Sequence, residues 1–376
     1  MDQSTTNNLI NRLIDAIEIG DSEQGDSSPL IDSSIFVDNA VFNAEKQHFF
    51  HNTPQVVGFA SEVSKPGSYF TTDVLGIPIV ITRDEDHQLH AFINACAHRG
   101  AKVANGSGER KRLTCSFHGW TYDLNGQLYG RPKKQCFDQA GPECNLSKLP
   151  VSDKYGVLVV GPHRGISQPQ VDQALDDIGD QLVGFELQHS QPLDCRRIDV
   201  KANWKLIAGL SHESYHFNIL HRNSVGQLLD PNSVFDTFKR HSRWAYAVKG
   251  IENLKKQPEQ QWPRFLLGGC NHTLFPGTLL ITNQSDAQMI RLEPGNKPNE
   301  SIIYFSGIFR DTNKREDSQS AFDFGFDVFT TEDLPAAEEC QRGFEAGMPT
   351  MIIGKNEPVM AFWHQLWQQE LAKVAT

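Results

Sequence analysis

Long apolar runs are missing from this sequence. Stretches such as Val157 to Val160 and Thr278 to Ile281 are short, whereas a transmembrane helix needs roughly 18 apolar residues or more. The segment Met1 to Asn8 is polar and has no apolar core of the kind that marks a secretory signal. The expectation is a soluble, cytoplasmic protein. Excess positive charge is missing too: 35 Lys and Arg stand against 46 Asp and Glu, a net charge of -11. No global basic field is available to hold phosphate backbones or anionic lipid, so neither nucleic acid nor membrane is an expected partner. Cysteine is sparse, with seven scattered along 376 residues. That odd number does not form the disulfide framework of a small secreted domain, and a cysteine with a task here is better suited to metal.

What is present is enough apolar residue, 39% of the chain, to build a large core and two domains. Leu9, Ile10, Leu13, Ile14 and Ile17 mark an amphipathic helix, followed by a loop rich in Ser, Asp and Gly from 20 to 34. Together they predict a peripheral N-terminal helical arm, residues 1–46. From Val56 onward, short runs of Val, Ile, Phe and Thr broken by Lys65-Pro66-Gly67 and the polar turn 83–88 read as consecutive strands, with one more at 155–160. These predict an all-β domain over 47–165. In the remainder, 166–376, helices are predicted at 171–183, 204–220, 332–344 and 357–372, and strands at 244–248, 277–282, 288–292 and 301–309. Separate runs of strands and helices indicate an α+β domain with an antiparallel sheet.

Two clusters carry chemistry. In the first, Cys96-Ala97-His98-Arg99-Gly100 is followed, with sixteen residues between His98 and Cys115, by Cys115-Ser116-Phe117-His118-Gly119-Trp120. Zinc knuckles usually draw both thiolates from one turn. Here each loop offers one Cys and one His, which suits a 2Fe-2S cluster with both thiolates on one iron and both imidazoles on the other. Zinc is the competing metal. Cys136, Cys144, Cys195, Cys270 and Cys340 show no ligand spacing and read as buried free thiols.

In the second cluster, Asn203-Trp204-Lys205 opens a predicted helix carrying His212-Glu213-Ser214-Tyr215-His216, with His221 beyond. Alone, His212-Glu213-x-x-His216 matches a zinc-protease helix, with two histidines on one face and a glutamate as general base. His221 stands five residues after His216, not the six that a metzincin requires.

Taken together, Cys-Ala-His-Arg-Gly, Cys-Ser-Phe-His-Gly-Trp and the segment from Asn203 to His221 resemble the oxygenase (alpha) components of Rieske non-haem iron aromatic-ring-hydroxylating oxygenases. The resemblance runs from about Gln47 to Leu371. It implies an N-terminal Rieske 2Fe-2S domain joined to a helix-grip catalytic domain, and it implies one 2Fe-2S cluster on Cys96, His98, Cys115 and His118. It further implies a mononuclear Fe(II) on His216, His221 and a carboxylate from a late helix. Asp333 of the Glu332-Asp333 pair is similar to that ligand, whereas Glu332 reads as a residue favouring a helix start. Glu213 takes the place of a carboxylate that bridges the two redox centres, His118 of one chain facing Glu213 of the next in a head-to-tail homotrimer.

By the same resemblance, the reaction is O2-dependent mono- or dioxygenation, with electrons from a separate NAD(P)H-dependent reductase, delivered directly or through a ferredoxin. No Gly-x-Gly-x-x-Gly fingerprint for the nicotinamide follows a strand in this chain. An aromatic substrate is the first expectation, since Phe322, Phe324, Phe326 and Phe329 precede Asp333. Hydroxylation or N-demethylation of a quaternary or methylated amine held by cation-π attraction is the second. A two-domain zinc or electron-transfer protein is the reading outside enzymes. Two departures from the family concern the iron: Ala208-Gly209 stand where Glu-Asn is common, and Glu213 replaces the commoner Asp.

Overall fold

The computed structural model describes residues 1–373 apart from Ala140 and Gln284. The chain divides into two compact units, one of residues 49–176 and 186–192, the other of 1–48, 177–185 and 193–376. Among the described residues, no helix is long and apolar enough to cross a membrane.

The smaller unit is built from β-strands, as alternating Val, Ile, Phe and Thr dictate. A five-stranded sheet runs in the order Lys148–Leu149, Leu89–Ile93, Ile77–Arg83, Ser68–Val74, Ser107–Glu109. A second sheet joins Val151–Ser152, Val157–Val160 and Gln55–Phe59, and a third joins Arg112–Thr114, Thr121–Asp123 and Leu128–Gly130. One core lies between the first two sheets, around Ile79, Ile81, Leu158 and Val160. The other gathers Tyr69, Phe92, Leu113, Trp120 and Tyr122 around Cys96 and Cys115.

The larger unit centres on a seven-stranded sheet in the order Gln191–Val200, Ser301–Phe309, Asp286–Pro294, Thr278–Thr282, Gly268–Leu274, His241–Val248, Leu229–Phe238. Neighbours from Ser301–Phe309 onward pair antiparallel. This is the α+β architecture expected, and the strand at Ser301–Phe309 begins and ends where the sequence places it. Trp244, Asn271, Ile281, Gln288 and Gly307 pair in register across five strands, so they stand in one row on one face. At Gly307 an added Cβ would come within 2.5 Å of Phe322, so the glycine lets the Arg315–Val328 helix lie close to the sheet.

The arm is not peripheral. The helix Gln3–Ile19 buries Leu9, Ile10, Leu13 and Ile14 completely, and Arg12 donates to Glu23 and Asp236 at 2.6 and 3.0 Å. It packs on the strands Leu229–Phe238 and His241–Val248. Amphipathicity announced a buried face, and the tertiary partner lies some 220 positions away in sequence, beyond any local pattern.

Several predicted helices change shape. The span 171–183 is two short helices, Gln168–Gln173 and Gly179–Val183. The helix predicted over 204–220 stops at Gly209, consistent with the poor helix propensity of glycine. The late helix does not begin at 332: Arg315–Val328 runs through a π-helical turn, Phe329–Asp333, into Leu334–Glu345. Pro335 has no N–H to offer the preceding turn and its ring crowds the carbonyl four residues back, so the helix widens there. Cys136, Cys195 and Cys340 are exposed rather than buried.

Candidate functional site

In the smaller unit, the two Cys/His loops repeat one hydrogen-bonding scheme. The Cys96 amide donates to Ala101 and the Gly100 amide returns to the Cys96 carbonyl, both at 2.8 Å. The Cys115 amide donates to Trp120 at 2.9 Å and the Gly119 amide to the Cys115 carbonyl at 3.0 Å. Gly100 and Gly119 sit at φ +76° and +72°, a left-handed conformation that a Cβ would strain. The scheme brings one thiol and one imidazole to the tip of each loop.

Both thiols are buried. Tyr122 Oη lies 3.2 Å from Cys96 Sγ and accepts from the Ala97 amide at 3.0 Å. The His98 and His118 rings have centroids 4.6 Å apart, and His98 stacks on Trp120. Burial, with help from His118 and Arg99, lowers the His98 pKa, which favours the neutral ring a metal binds. His98 Nδ1 is buried without a hydrogen-bond partner, an orphan atom that a metal would satisfy. These four residues fit a 2Fe-2S cluster.

In the larger unit, His216, His221 and Asp333 form a donor group, with donor atoms within 4.8 Å of one another. Asp333 Oδ1 lies 3.3 Å from His221 Nε2 and 3.8 Å from His216 Nε2. The histidines come from the turns that follow Gly209, and Asp333 from the last position of the π-helical turn. Buried Gln341 links the two regions: its Oε1 accepts from the Asn203 amide at 3.0 Å, on the helix that follows Asp333. Asn203 in turn caps the helix Trp204–Gly209 by accepting from the Lys205 amide.

Each histidine also carries a glutamate on its other nitrogen. Glu213 accepts from His216 Nδ1 with one oxygen and from the His216 amide with the other. Glu332 Oε2 accepts from His221 Nδ1 at 2.6 Å and from Ser224 Oγ at 2.8 Å. Both partnerships place the ring proton on Nδ1 and leave the Nε2 lone pair toward Asp333. Burial acts to raise the Glu332 pKa, and the bonds from His221 and Ser224 outweigh it, so the group is held below its usual range as a carboxylate. The sequence reading missed Glu332 in this role. Its cue was adjacency to Asp333, which in a π-helical turn is enough to bring both acids to one site.

The protease motif is not assembled. Residues 210–220 form turns, not a helix, and His212 faces away from the donor group: its Nε2 lies 2.9 Å from Thr273 Oγ1 and its ring packs on Trp363. Complete burial drives the His212 pKa down to about 3. A general-base helix with histidines four apart on one face does not exist here.

A cavity of about 250 Å³ adjoins the three donors. The sheet row supplies Trp244, Asn271, Ile281 and Gln288 to its wall, and the helix Arg315–Val328 and the turn after it supply Phe324 and Phe329. Phe217 and Tyr246 lie edge to face, 5.3 Å apart, beside Trp244. Of the four phenylalanines singled out in the sequence, Phe322 and Phe326 pack against Phe305 instead of lining the cavity.

Residues 53–150 match the Rieske [2Fe-2S] domain and residues 189–373 match the catalytic domain of the ring-hydroxylating alpha subunit. The chain belongs to the Rieske oxygenases. The first domain of this family implies a 2Fe-2S cluster and the second a mononuclear iron, and its members are O2-dependent oxidoreductases. Among curated Rieske oxygenases, the chain is 26% identical to the oxygenase subunit of carnitine monooxygenase from Acinetobacter baumannii, over 83% of this chain and 84% of that one. It is 29% identical to the oxygenase subunit of glycine betaine monooxygenase from Chromohalobacter salexigens over 57% of this chain, a match spanning about half (47%) of that protein's length. In fold it is similar to a crystal structure of a quaternary ammonium Rieske monooxygenase, with a TM-score of 0.77, 20% identity and coverage of 90% and 94% of the two chains.

Proposed function

We propose that this chain is the terminal oxygenase of a cytoplasmic Rieske system that hydroxylates or N-demethylates a quaternary or methylated amine. The observation that carries this reading is the cavity beside His216, His221 and Asp333, lined by the aromatic cluster Phe217, Trp244 and Tyr246. The faces of such rings attract a methylated ammonium ion through their quadrupoles. The two curated relatives named above act, by name, on carnitine and glycine betaine. They favour the amine over the aromatic substrate that was the first expectation, and aromatic catabolism has no support from them.

In this reading Cys96, His98, Cys115 and His118 hold the cluster, and His216, His221 and Asp333 hold the iron. Bound to these three residues, the iron would supply O2 activation. The overall reaction takes O2, two electrons and two protons, places one oxygen atom in a C–H bond and releases the other as water. The chain's own residues set the stage: Glu213 and Glu332 orient the two imidazoles, and the aromatic wall excludes water from the reacting carbon. Electrons come from an NAD(P)H-dependent reductase. The working assembly is a homotrimer, in which Glu213 connects its iron site to His118 of a neighbouring chain.

Metal and sulfide analysis tests the cofactor assignment directly. Anaerobically purified protein is expected to contain two inorganic sulfides and a brown, thiolate-to-iron spectrum that disappears in Cys96→Ser. A colourless protein holding one zinc would refute it. For Glu332→Gln, the expectation is iron binding weakened about 10- to 100-fold, the usual cost of removing a carboxylate behind a ligating histidine. Fe(II) or Co(II) titration of the metal-depleted catalytic centre measures it, and unchanged affinity would show that Glu332 does not support His221.

A further inference from the structure

The wall of the cavity contains no lysine or arginine among its described residues. Its polar side chains away from the metal donors carry no formal charge, among them the amides and hydroxyl of Ser211, Asn271, Asn283 and Gln288. Asn283 is already engaged, donating to Asp286 and accepting from Ser285, which leaves the other three to meet a ligand. Gln288 stands in the sheet row against Gly325, where a Cβ would come within 3.1 Å of its amide oxygen. The glycine therefore makes room for a polar side chain at this end of the cavity.

The charge around the iron position points the same way. Asp333 faces both imidazoles, and Glu213 and Glu332 sit behind them. Three acidic side chains therefore gather at this end of the cavity, and no basic side chain stands among the described residues of its wall. An ammonium group suits such surroundings, while an added carboxylate finds no lysine or arginine among the described lining residues and must be desolvated beside acidic side chains.

We infer that the substrate of this cavity is net cationic, a methylated ammonium or amine whose other end is an uncharged hydroxyl or amide, and that ammonium carboxylates are discriminated against. This rests on the amine reading above and narrows it. The neutral end is met by Gln288, Asn271 and Ser211, and the ammonium by the aromatic faces. The inference separates this chain from relatives whose names specify carnitine and glycine betaine, both of which carry a carboxylate.

The test uses the holoenzyme and a matched set of ligands: choline, which is a quaternary ammonium alcohol, glycine betaine, which has the same ammonium with a carboxylate, carnitine, and benzoate as an anionic ring. Calorimetric Kd values and coupled O2 uptake are measured for each. The expected result is binding of choline at least about tenfold tighter than glycine betaine, a difference of one factor of ten in Kd. Gln288→Lys should narrow or invert that ratio by supplying the missing cation. Glycine betaine or carnitine bound as tightly as choline by the wild type overturns this inference and leaves the amine reading standing. Benzoate bound and turned over, with no ammonium compound bound, overturns both. The wild-type comparison decides the matter even where Gln288→Lys does not fold.

Discussion

Asp333→Ala and His221→Ala are each expected to empty the mononuclear iron site and to lower turnover roughly a thousandfold or more, while the brown spectrum of the Rieske cluster persists. The size follows from what the metal contributes, several kcal/mol of barrier lowering that no protein group here replaces. The selectivity follows from geometry. Asp333 Oδ1 is the atom both Nε2 nitrogens face, at 3.3 and 3.8 Å, and removing it leaves two neutral imidazoles with no charged ligand to hold a divalent ion. The cluster residues belong to a different sheet system with its own core, so its colour serves as an internal control for folding. His212→Ala is the contrasting variant. Buried beside Thr273 and Trp363, His212 fills space and makes one hydrogen bond, so its loss should reduce stability and spare the iron content. Iron analysis with absorbance spectra of the three variants gives the answer. Loss of iron in His212→Ala with normal iron in Asp333→Ala would reverse the ligand assignment.

The sequence made some of this legible and hid the rest for identifiable reasons. Two Cys/His loops are visible because their ligand spacing and turn glycines are local, and the structure shows the same backbone hydrogen bonds in both. Strands such as Ser301–Phe309 are visible through their apolar composition. Residues 210–220 were misread as helix because His212, Glu213 and His216 have helical spacing. What decides their conformation is tertiary: Ser214 bonds to Pro231 and Ser233 and His212 to Thr273, none of which is near in sequence. The π-helical turn at 329–333 was invisible for a similar reason. Pro335 hints at a break, but the widened turn matters only because it lets adjacent Glu332 and Asp333 serve the same histidine, one at Nδ1 and the other at Nε2. With a helix start expected at 332, Glu332 reads from sequence as a residue favouring the helix dipole and not as a partner of the histidine.

The Asn203-Trp204-Lys205 segment, conspicuous in the sequence for its closeness to the iron residues, acts through a buried ion pair, and that pair sets the largest stability effect expected here. Lys205 Nζ donates to both oxygens of Glu45 at 2.6 and 2.7 Å, with both side chains wholly inaccessible to solvent. Trp204 Nε1 donates to Glu45 Oε2 at 2.9 Å. The rings of Phe36, Trp204 and Trp367 surround the ammonium at 5.4 to 5.9 Å. Burial pushes the Glu45 pKa up and the Lys205 pKa down, each toward its neutral form, and their attraction opposes that. Replacing Lys205 by Met removes the attraction and strands a carboxylate in an apolar shell, a change that costs about 3–5 kcal/mol. The double variant Glu45→Leu/Lys205→Met removes the stranded charge as well and should recover most of that loss, because a well-packed apolar pair is often as stable as the ions it replaces. Denaturant unfolding of the holoprotein, followed by tryptophan fluorescence, measures both. The single variant should also release iron more readily than the double variant, since the pair anchors the helix from which the His216 and His221 turns depart. A Lys205→Met protein as stable as the wild type would mean that Glu45 is already protonated in the native fold and that the pair is a neutral hydrogen bond.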